Sequence, residues 1–371
     1  MSEPGEGASL VARLRRQPPA LLVAVGFLWI GALALLDYFA PPDLSFLIFY
    51  VAPVFFLVWF VGRSAGLLGA LLSAGFWTWE DVLSAHAYPS ARVADWNIAV
   101  RLLFMVVFVA VVAELKGALE RERRAEQERL EREVKIAQEV QTRLFPQKAP
   151  EVRGVECFGV CRPARSVSGD YYDFLALDSG HLGIAVGDVS GKGLPAALLM
   201  ASLQGALRSF ASIAGGGPAR LAGDLNAQIR ALTERNRFVT FFWAVLDGAT
   251  GALSYVNAGH NPPLVLRASG ALERLRSGGP PLGILLEPDY REGATTLSRG
   301  DLLVVFTDGV TEAENASEIE YGDERLERVV RDAAGLPARQ VCDRVLAAVA
   351  AFESGAEQHD DITVVAAKTT R

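Results

Sequence analysis

Leu182-Gly183-Ile184-Ala185-Val186-Gly187-Asp188 is a short apolar run, rich in branched side chains, that stops at glycine and a carboxylate. Its length and its glycine boundary read as a buried strand. The same punctuation recurs along the second half of the chain. Leu302–Phe306 runs into Thr307-Asp308-Gly309, Asp360-Asp361 leads into Ile362–Val364, and Gly169-Asp170 carries a fourth acidic position. One Asp before Gly opens a turn and on its own implies nothing more. Carboxylates repeated at several strand ends instead converge hard oxygen ligands on divalent cations.

Further strands are predicted at Val155–Val160, Val239–Leu246, Leu253–Asn257 and Leu264–Leu266. Asp247-Gly248-Ala249-Thr250-Gly251 forms a tight hairpin connection. Helices are predicted at Leu194–Ile213, Ala219–Glu234, Arg325–Ala334 and Ala338–Phe352. Strands joined by hairpins, with helices grouped between them, predict an α+β sheet sandwich covered by helices. Regular strand–helix alternation, which a doubly wound parallel sheet needs, is missing. Gly187–Gly193 is not a nucleotide-binding phosphate loop, because the spacing is wrong and no Ser or Thr follows Lys192. Cys157 and Cys161 alternate with apolar residues and read as core. With Cys342 they form no disulfide framework, which suits a reducing compartment for this half.

The first half is different. The 371 residues carry a net charge of -7, and the mean hydropathy of +0.24 is concentrated before residue 115. That balance, without a basic face, excludes a nucleic-acid partner. Four apolar stretches, Ala20–Phe39, Leu44–Val61, Ala65–Leu83 and Ile98–Ala113, approach the length of about 20 residues that a bilayer requires. A cleaved signal peptide has a single short apolar core and does not fit. Arg13, Arg15, Arg16, Arg63, Lys116, Arg121, Arg123 and Arg124 mark one side, while the other loops hold Asp43 and only Arg92 as a basic residue. The positive-inside rule then puts both termini in the cytoplasm. Charges near the span ends read as snorkelling or capping, or as an outer pocket gathering Trp77, Trp79, Glu80, Asp81 and Trp96.

From Glu114 to Phe145 the chain is charged and proline-free until Pro146. Leu130, Val134, Ala137, Gln141 and Leu144 fall at alternating steps of four and three, the spacing of a coiled-coil seam. Upstream, Arg123 and Gln127 spoil that seam. This segment reads as a linker helix and a homodimer contact. The predicted organisation is a cytoplasmic segment 1–19, a four-span membrane domain 20–113, a helical linker 114–146 and a further domain 147–371.

Five ordered motifs then carry a resemblance. They are Ser168-Gly169-Asp170-Tyr171-Tyr172-Asp173-Phe174, Gly187 to Leu198, Ala258-Gly259-His260-Asn261-Pro262-Pro263, Phe306-Thr307-Asp308-Gly309-Val310-Thr311-Glu312-Ala313 and Asp360-Asp361-Ile362-Thr363. Together with Ala137–Pro146 before them, they resemble the SpoIIE-like, RsbU-like bacterial metal-dependent protein serine/threonine phosphatases over about residues 135–368. The resemblance implies a protein phosphatase 2C-like α-β-β-α sandwich of two antiparallel sheets. It implies that Asp188 bridges two divalent cations with the Val189 carbonyl nearby, that Asp308 and Asp360 complete one site, and that Asp170 serves the other. Asp361 stands where relatives vary and would orient its neighbour. Ser168 replaces the usual first glycine, a departure expected to matter little. His260 reads as a general acid or as part of a structural turn, and Lys192 as a phosphate contact or a solvated loop lysine. His181 and His359 carry no role.

An all-oxygen set suits Mn²⁺ or Mg²⁺ rather than zinc. Two such ions generate a nucleophile from water at neutral pH and neutralise a phosphoryl group. With no cysteine in a phosphate-binding loop, a cysteine-based phosphatase is not indicated. The resemblance further implies a phosphorylated STAS-domain anti-sigma factor antagonist as substrate, and a location in the bacterial inner membrane with the phosphatase domain in the cytoplasm. Two other readings compete. A membrane-anchored pseudo-phosphatase would have lost ligand positions, and all four remain Asp. A diguanylate cyclase needs Glu-Phe after Gly-Gly-Asp, whereas Tyr171-Tyr172 follows here.

Overall fold

The computed structural model describes residues 13–14, 16–39, 47–83, 91–177, 180–213, 217–233 and 237–370. The chain divides into two compact units, 1–129 and 130–371. In the first, helices α1 (Pro19–Phe39), α2 (Leu47–Phe56, prolonged by a π-helical turn Leu57–Val61) and α3 (Arg63–Leu83) are followed by α4 (Ala91–Leu144). Ile30, Leu33, Tyr50, Val54, Leu57, Met105 and Val109 form the interior of this unit. Its outer faces stay apolar, with Leu28, Phe39, Ile48 and Leu103 all more than 60% exposed.

By length and composition, α1 and the Arg92–Leu144 stretch are able to cross a membrane, while the apolar helix Ile48–Val61 is shorter than a span. Of the predicted outer pocket, only Trp77, Trp79 and Trp96 have described side chains. The Arg101 guanidinium lies over the Trp77 ring at 3.7 Å, while Trp79 and Trp96 are largely exposed. Asp43 and residues 84–90, together with the side chains of Glu80 and Asp81, lie outside the described residues.

The linker is not a separate helix. It continues the fourth apolar stretch in α4 and stops at Leu144, where Pro146 cannot extend it. Its predicted seam also needs correction at its lower end. Gln141 is buried within the second unit, to which it belongs, whereas Leu130, Ile136 and Val140 are more than half exposed. The apolar spacing there serves the chain's own fold, because a carboxamide at position 141 finds backbone partners in that unit.

In the second unit, the strands and helices in order are β1 (Val155–Arg162), β2 (Tyr171–Ala176), β3 (His181–Val189), α5 (Leu194–Ile213), α6 (Gly217–Leu232), β4 (Val239–Asp247), β5 (Ala252–Ala258), β6 (Leu264–Leu266), β7 (Leu272–Arg274), β8 (Gly278–Gly279), β9 (Gly293–Thr296), β10 (Leu302–Phe306), α7 (Asp308–Thr311), α8 (Asp323–Asp332), α9 (Ala338–Glu353) and β11 (Ile362–Thr369). Among the described residues one sheet runs β1-β11-β10-β6-β7 and the other β2-β3-β4-β5-β8, with β9 also paired to β5. All these pairings are antiparallel except β5 with β8.

Side chains alternate across each strand, and that period of two builds the layers. Leu303 and Val305 of β10 meet Ile184 and Val186 of β3 and Phe242 of β4 between the sheets. Leu302, Val304 and Phe306 face α8 and α9. On the other side Ala185, Phe241 and Trp243 face α5 and α6. The predicted α+β sandwich is therefore the observed one, in the order helix–sheet–sheet–helix. The short edge strands β7, β8 and β9 lack an apolar alternation long enough to read from sequence.

Candidate metal centre

The acidic positions come together at strand ends. Asp188 ends β3, Asp170 immediately precedes β2, Asp308 opens α7 directly after β10, and Asp360 and Asp361 precede β11. Because β10 pairs with β11 and β2 with β3, these ends are neighbours across the sandwich. Two glycines permit the approach. A β-carbon on Gly309 would lie 2.0 Å from the Asp361 carbonyl oxygen, and one on Gly169 would press on the Val189 carbonyl at 3.2 Å. The second contact places the Val189 carbonyl beside the loop that carries Asp170.

The carboxyls of Asp170, Asp188 and Asp308 are perturbed by burial and by their neighbours. Burial, then the charges of Asp308, Asp360 and Asp361, pushes Asp188 up to about 7, with Lys192 opposing. Burial and then Asp188 hold Asp170 well above the usual carboxylate range, although Thr307 Oγ1 donates to its Oδ2 at 2.8 Å. Burial and Asp360 raise Asp308. Lys192 Nζ lies 2.9 Å from Asp360 Oδ2 and also donates to the His359 carbonyl. That ion pair is more than 40% exposed on both sides, so it adds little stability.

Among the described residues no three His, Cys, Asp or Glu side chains are close enough together to ligate a single ion. The donor chemistry nonetheless fits hard divalent cations. Asp170, Asp188 and Asp308 are raised by burial and by the charges of neighbouring aspartates, with the ammonium of Lys192 opposing at Asp188 and Asp308, and carboxylate oxygens are the donors such cations take.

Asp361 has a different task from the other four. Its Oδ1 accepts from Ala164 N–H at 2.7 Å, and its Oδ2 accepts from Gly169 N–H at 2.7 Å and from Ser168 Oγ at 2.9 Å. Ser168 thus matters more than the sequence reading allowed. A glycine there has no hydroxyl to donate to Asp361 or to accept from Asp170 N–H at 3.0 Å. Sequence reasoning also gave no role to Asp173 or Glu312. Asp173 is fully buried, accepts from Tyr171 Oη and is gripped twice by Arg208, at 2.8 and 3.1 Å, which ties α5 to β2. Glu312, in the Thr307–Ala313 motif, is raised by its own burial and then by Asp308, and lines a 180 Å³ cavity with Lys192 and Asp360.

His260 is buried behind the cluster. Its Nδ1 shares a hydrogen bond with Thr240 Oγ1 at 2.9 Å, and its N–H donates to Asn257 Oδ1. Burial lowers the ring pKa to about 4, opposed by a backbone contact with Phe306, so the imidazole is neutral at pH 7. These contacts fit the structural turn. His359 is exposed, 3.9 Å from Glu314. The thiols are not nucleophiles: burial pushes Cys157 and Cys342 up to about 12 and Cys161 still higher.

Comparison with known proteins finds relatives of this fold. The family profile described as Stage II sporulation protein E (SpoIIE) matches residues 178–370. Protein IcfG of Synechocystis is 30% identical over 261 residues, covering 63% of this chain and 41% of that protein. Phosphoserine phosphatase RsbU of Bacillus subtilis is 29% identical over 241 residues, covering 64% of this chain and 70% of that protein. The chain thus spans less than half the length of IcfG. Among solved structures, the SiaA-PP2C domain of Pseudomonas aeruginosa superposes with a TM-score of 0.59 at 21% identity, over 66% of this chain and 98% of that one. The RsbU and RsbW domains of a Mycobacterium tuberculosis protein superpose with a TM-score of 0.51 at 26% identity, over 60% and 63%.

Proposed function

The chain belongs to the SpoIIE family of PP2C-type protein serine/threonine phosphatases, and from that premise we propose that it is a membrane-tethered, divalent-cation-dependent phosphatase of phosphoserine and phosphothreonine in proteins. The observation that carries this reading is the cluster of Asp170, Asp188, Asp308 and Asp360 with its excess of negative charge.

In this reading Asp188 is shared between two cations, Asp308 and Asp360 hold one, and Asp170 serves the other beside the Val189 carbonyl. Bound Mn²⁺ or Mg²⁺ supplies a nucleophile from water and neutralises phosphoryl charge. The protein positions these oxygens at the rim of a dry sandwich. Asp361 and Ser168 fix the loop bearing Asp170, and Thr307 orients its carboxylate. Lys192, half exposed and paired only with acceptors at the rim, is free to turn its ammonium toward an incoming phosphate.

The favoured substrate is a phosphorylated STAS-domain anti-sigma factor antagonist in a partner-switching pathway, supported by the likeness to RsbU. Membrane tethering is supported by the two helices able to span a bilayer and by the exposed apolar faces of the first unit. On this reading four segments cross the inner membrane, with the phosphatase domain in the cytoplasm, and α4 pairs with a second copy above residue 141. Retention of all four aspartates argues against a pseudo-phosphatase.

The test is release of phosphate from a phosphoserine STAS protein by the full chain with Mn²⁺. Asp188→Asn is expected to lose more than about 100-fold, beyond the range typical of outer-shell partners. Near-normal turnover by that variant would remove Asp188 from its place.

A further inference from the structure

Asp170 hangs on a segment that no sheet holds. β2 begins at Tyr171, so Ser168, Gly169 and Asp170 precede its ladder. Their three successive backbone N–H groups are all held by side chains. Gly169 N–H donates to Asp361 at 2.7 Å and Asp170 N–H to Ser168 Oγ at 3.0 Å. Ser168 N–H donates to Gln141 Oε1 at 2.8 Å, and Gln141 Nε2 donates back to the Ser168 carbonyl at 2.7 Å.

A carboxamide is the side-chain counterpart of a peptide group, and this pair of hydrogen bonds reproduces one rung of an antiparallel ladder. Gln141 is 6% exposed, so water does not replace it without opening the contact. Gln141 stands in the last turn of α4. The end of that helix is seated at two further points: Gln204 Nε2 donates to the Leu144 carbonyl, and the Phe145 ring lies 5.3 Å from that of Tyr172.

We propose that Gln141 is a positioning residue that fixes Asp170 in the carboxylate cluster from the end of α4, so that the seating of this helix sets how tightly the divalent-cation site closes. The proposal rests on the reading of Asp170 as a cation ligand. A buried glutamine that only stabilised the fold would change unfolding and leave cation affinity alone. A positioning residue weakens cation binding while the fold persists.

The experiment titrates Mn²⁺ calorimetrically into the full chain in detergent, and separately follows hydrolysis of para-nitrophenyl phosphate across Mn²⁺ concentrations. Gln141→Leu keeps the approximate size and removes both hydrogen bonds. It is expected to bind Mn²⁺ about 10–100-fold more weakly, the usual range for residues that orient ligands. The chain should remain folded, with a metal-free unfolding midpoint lowered by the two unpaired Ser168 backbone groups, its kcat should recover in excess Mn²⁺, and its KM for the ester should not move. Gln138→Leu, on the exposed side of the same helix, should bind Mn²⁺ normally.

A folded Gln141→Leu with unaltered Mn²⁺ affinity overturns the proposal, as does an unaltered chain that binds no Mn²⁺. If the unaltered chain binds Mn²⁺ without hydrolysing the ester, the phosphatase reading is the one that fails, and the calorimetric comparison still decides the role of Gln141. If Gln141→Leu does not fold, hydrogen exchange of the unaltered chain decides. A Ser168 amide protected like those of β2 supports the proposal, and one that exchanges freely overturns it.

Discussion

At the scale of single residues, the account turns on charge held where it is unwelcome. Asp188 has a folded-state pKa of about 7 against an ordinary 3.8. A carboxyl whose pKa is raised on folding favours the folded state while protonated, and that contribution disappears as pH climbs from about 4 through about 7. Asp170 and Asp308 are shifted in the same direction. The metal-free chain should therefore unfold at a lower temperature at pH 7.5 than at pH 5. Asp188→Asn, which does not titrate, should shrink that difference. Equal midpoints at the two pH values, measured with chelator present, would contradict this electrostatic picture. His260 lends itself to a separate check. Its neutral, buried ring predicts that His260→Ala costs about 1–3 kcal/mol of stability, the usual penalty for orphaning a buried partner. The shape of the pH–rate profile above pH 5 should not change. Loss of a titrating limb in that variant would restore His260 as a general acid. Asp188, Asp308 and Asp360 were legible as candidates because each stands beside a recognisable apolar strand, whereas β2, which follows Asp170, was not predicted. Ser168 was not legible, since its value lies in contacts with Asp361, 193 residues away.

Secondary-structure elements were legible in proportion to their apolar period. β6 and β10 were placed to the residue, and α5 also, because branched runs and helical spacing extend right to their ends. β7, β8 and β9 have only two to four residues each and are defined by their partners. The linker shows the opposite failure, in which a real period was assigned the wrong partner. A seam counted through Gln141 and Leu144 predicts contact with a second helix, yet Gln141 is spent on the Ser168 backbone. Any pairing of α4 with another copy must therefore lie above that point, where Leu130 and Ile136 are exposed. Inserting four residues near Gln127 rotates everything above it by a little more than one turn relative to the seated end. The expected outcome is altered regulation in membranes with intrinsic catalysis of the detergent-solubilised chain unchanged. Activity in membranes that ignores the insertion would remove the helix from signalling.

For the molecule as a whole, one sequence builds two units, the first with exposed apolar faces. Exposed leucine and phenylalanine are costly in water and ordinary in lipid, so the first unit is read by hydropathy and the second by alternation. The fall in hydropathy after residue 115 does not coincide with the division between the units at residues 129 and 130, and the continuity of α4 was not legible, because a charged helix and an apolar one share a backbone and no side-chain pattern. What the second unit then builds is a cluster of aspartates that disfavour one another's charge, which on the proposed reading divalent cations relieve. Calorimetric titration of Mn²⁺ into the full chain at pH 7.5 tests that directly. Two ions per chain are expected, with Asp188→Asn removing that binding. A chain that takes up no Mn²⁺, or an Asp188→Asn variant that binds two ions unchanged, would contradict it.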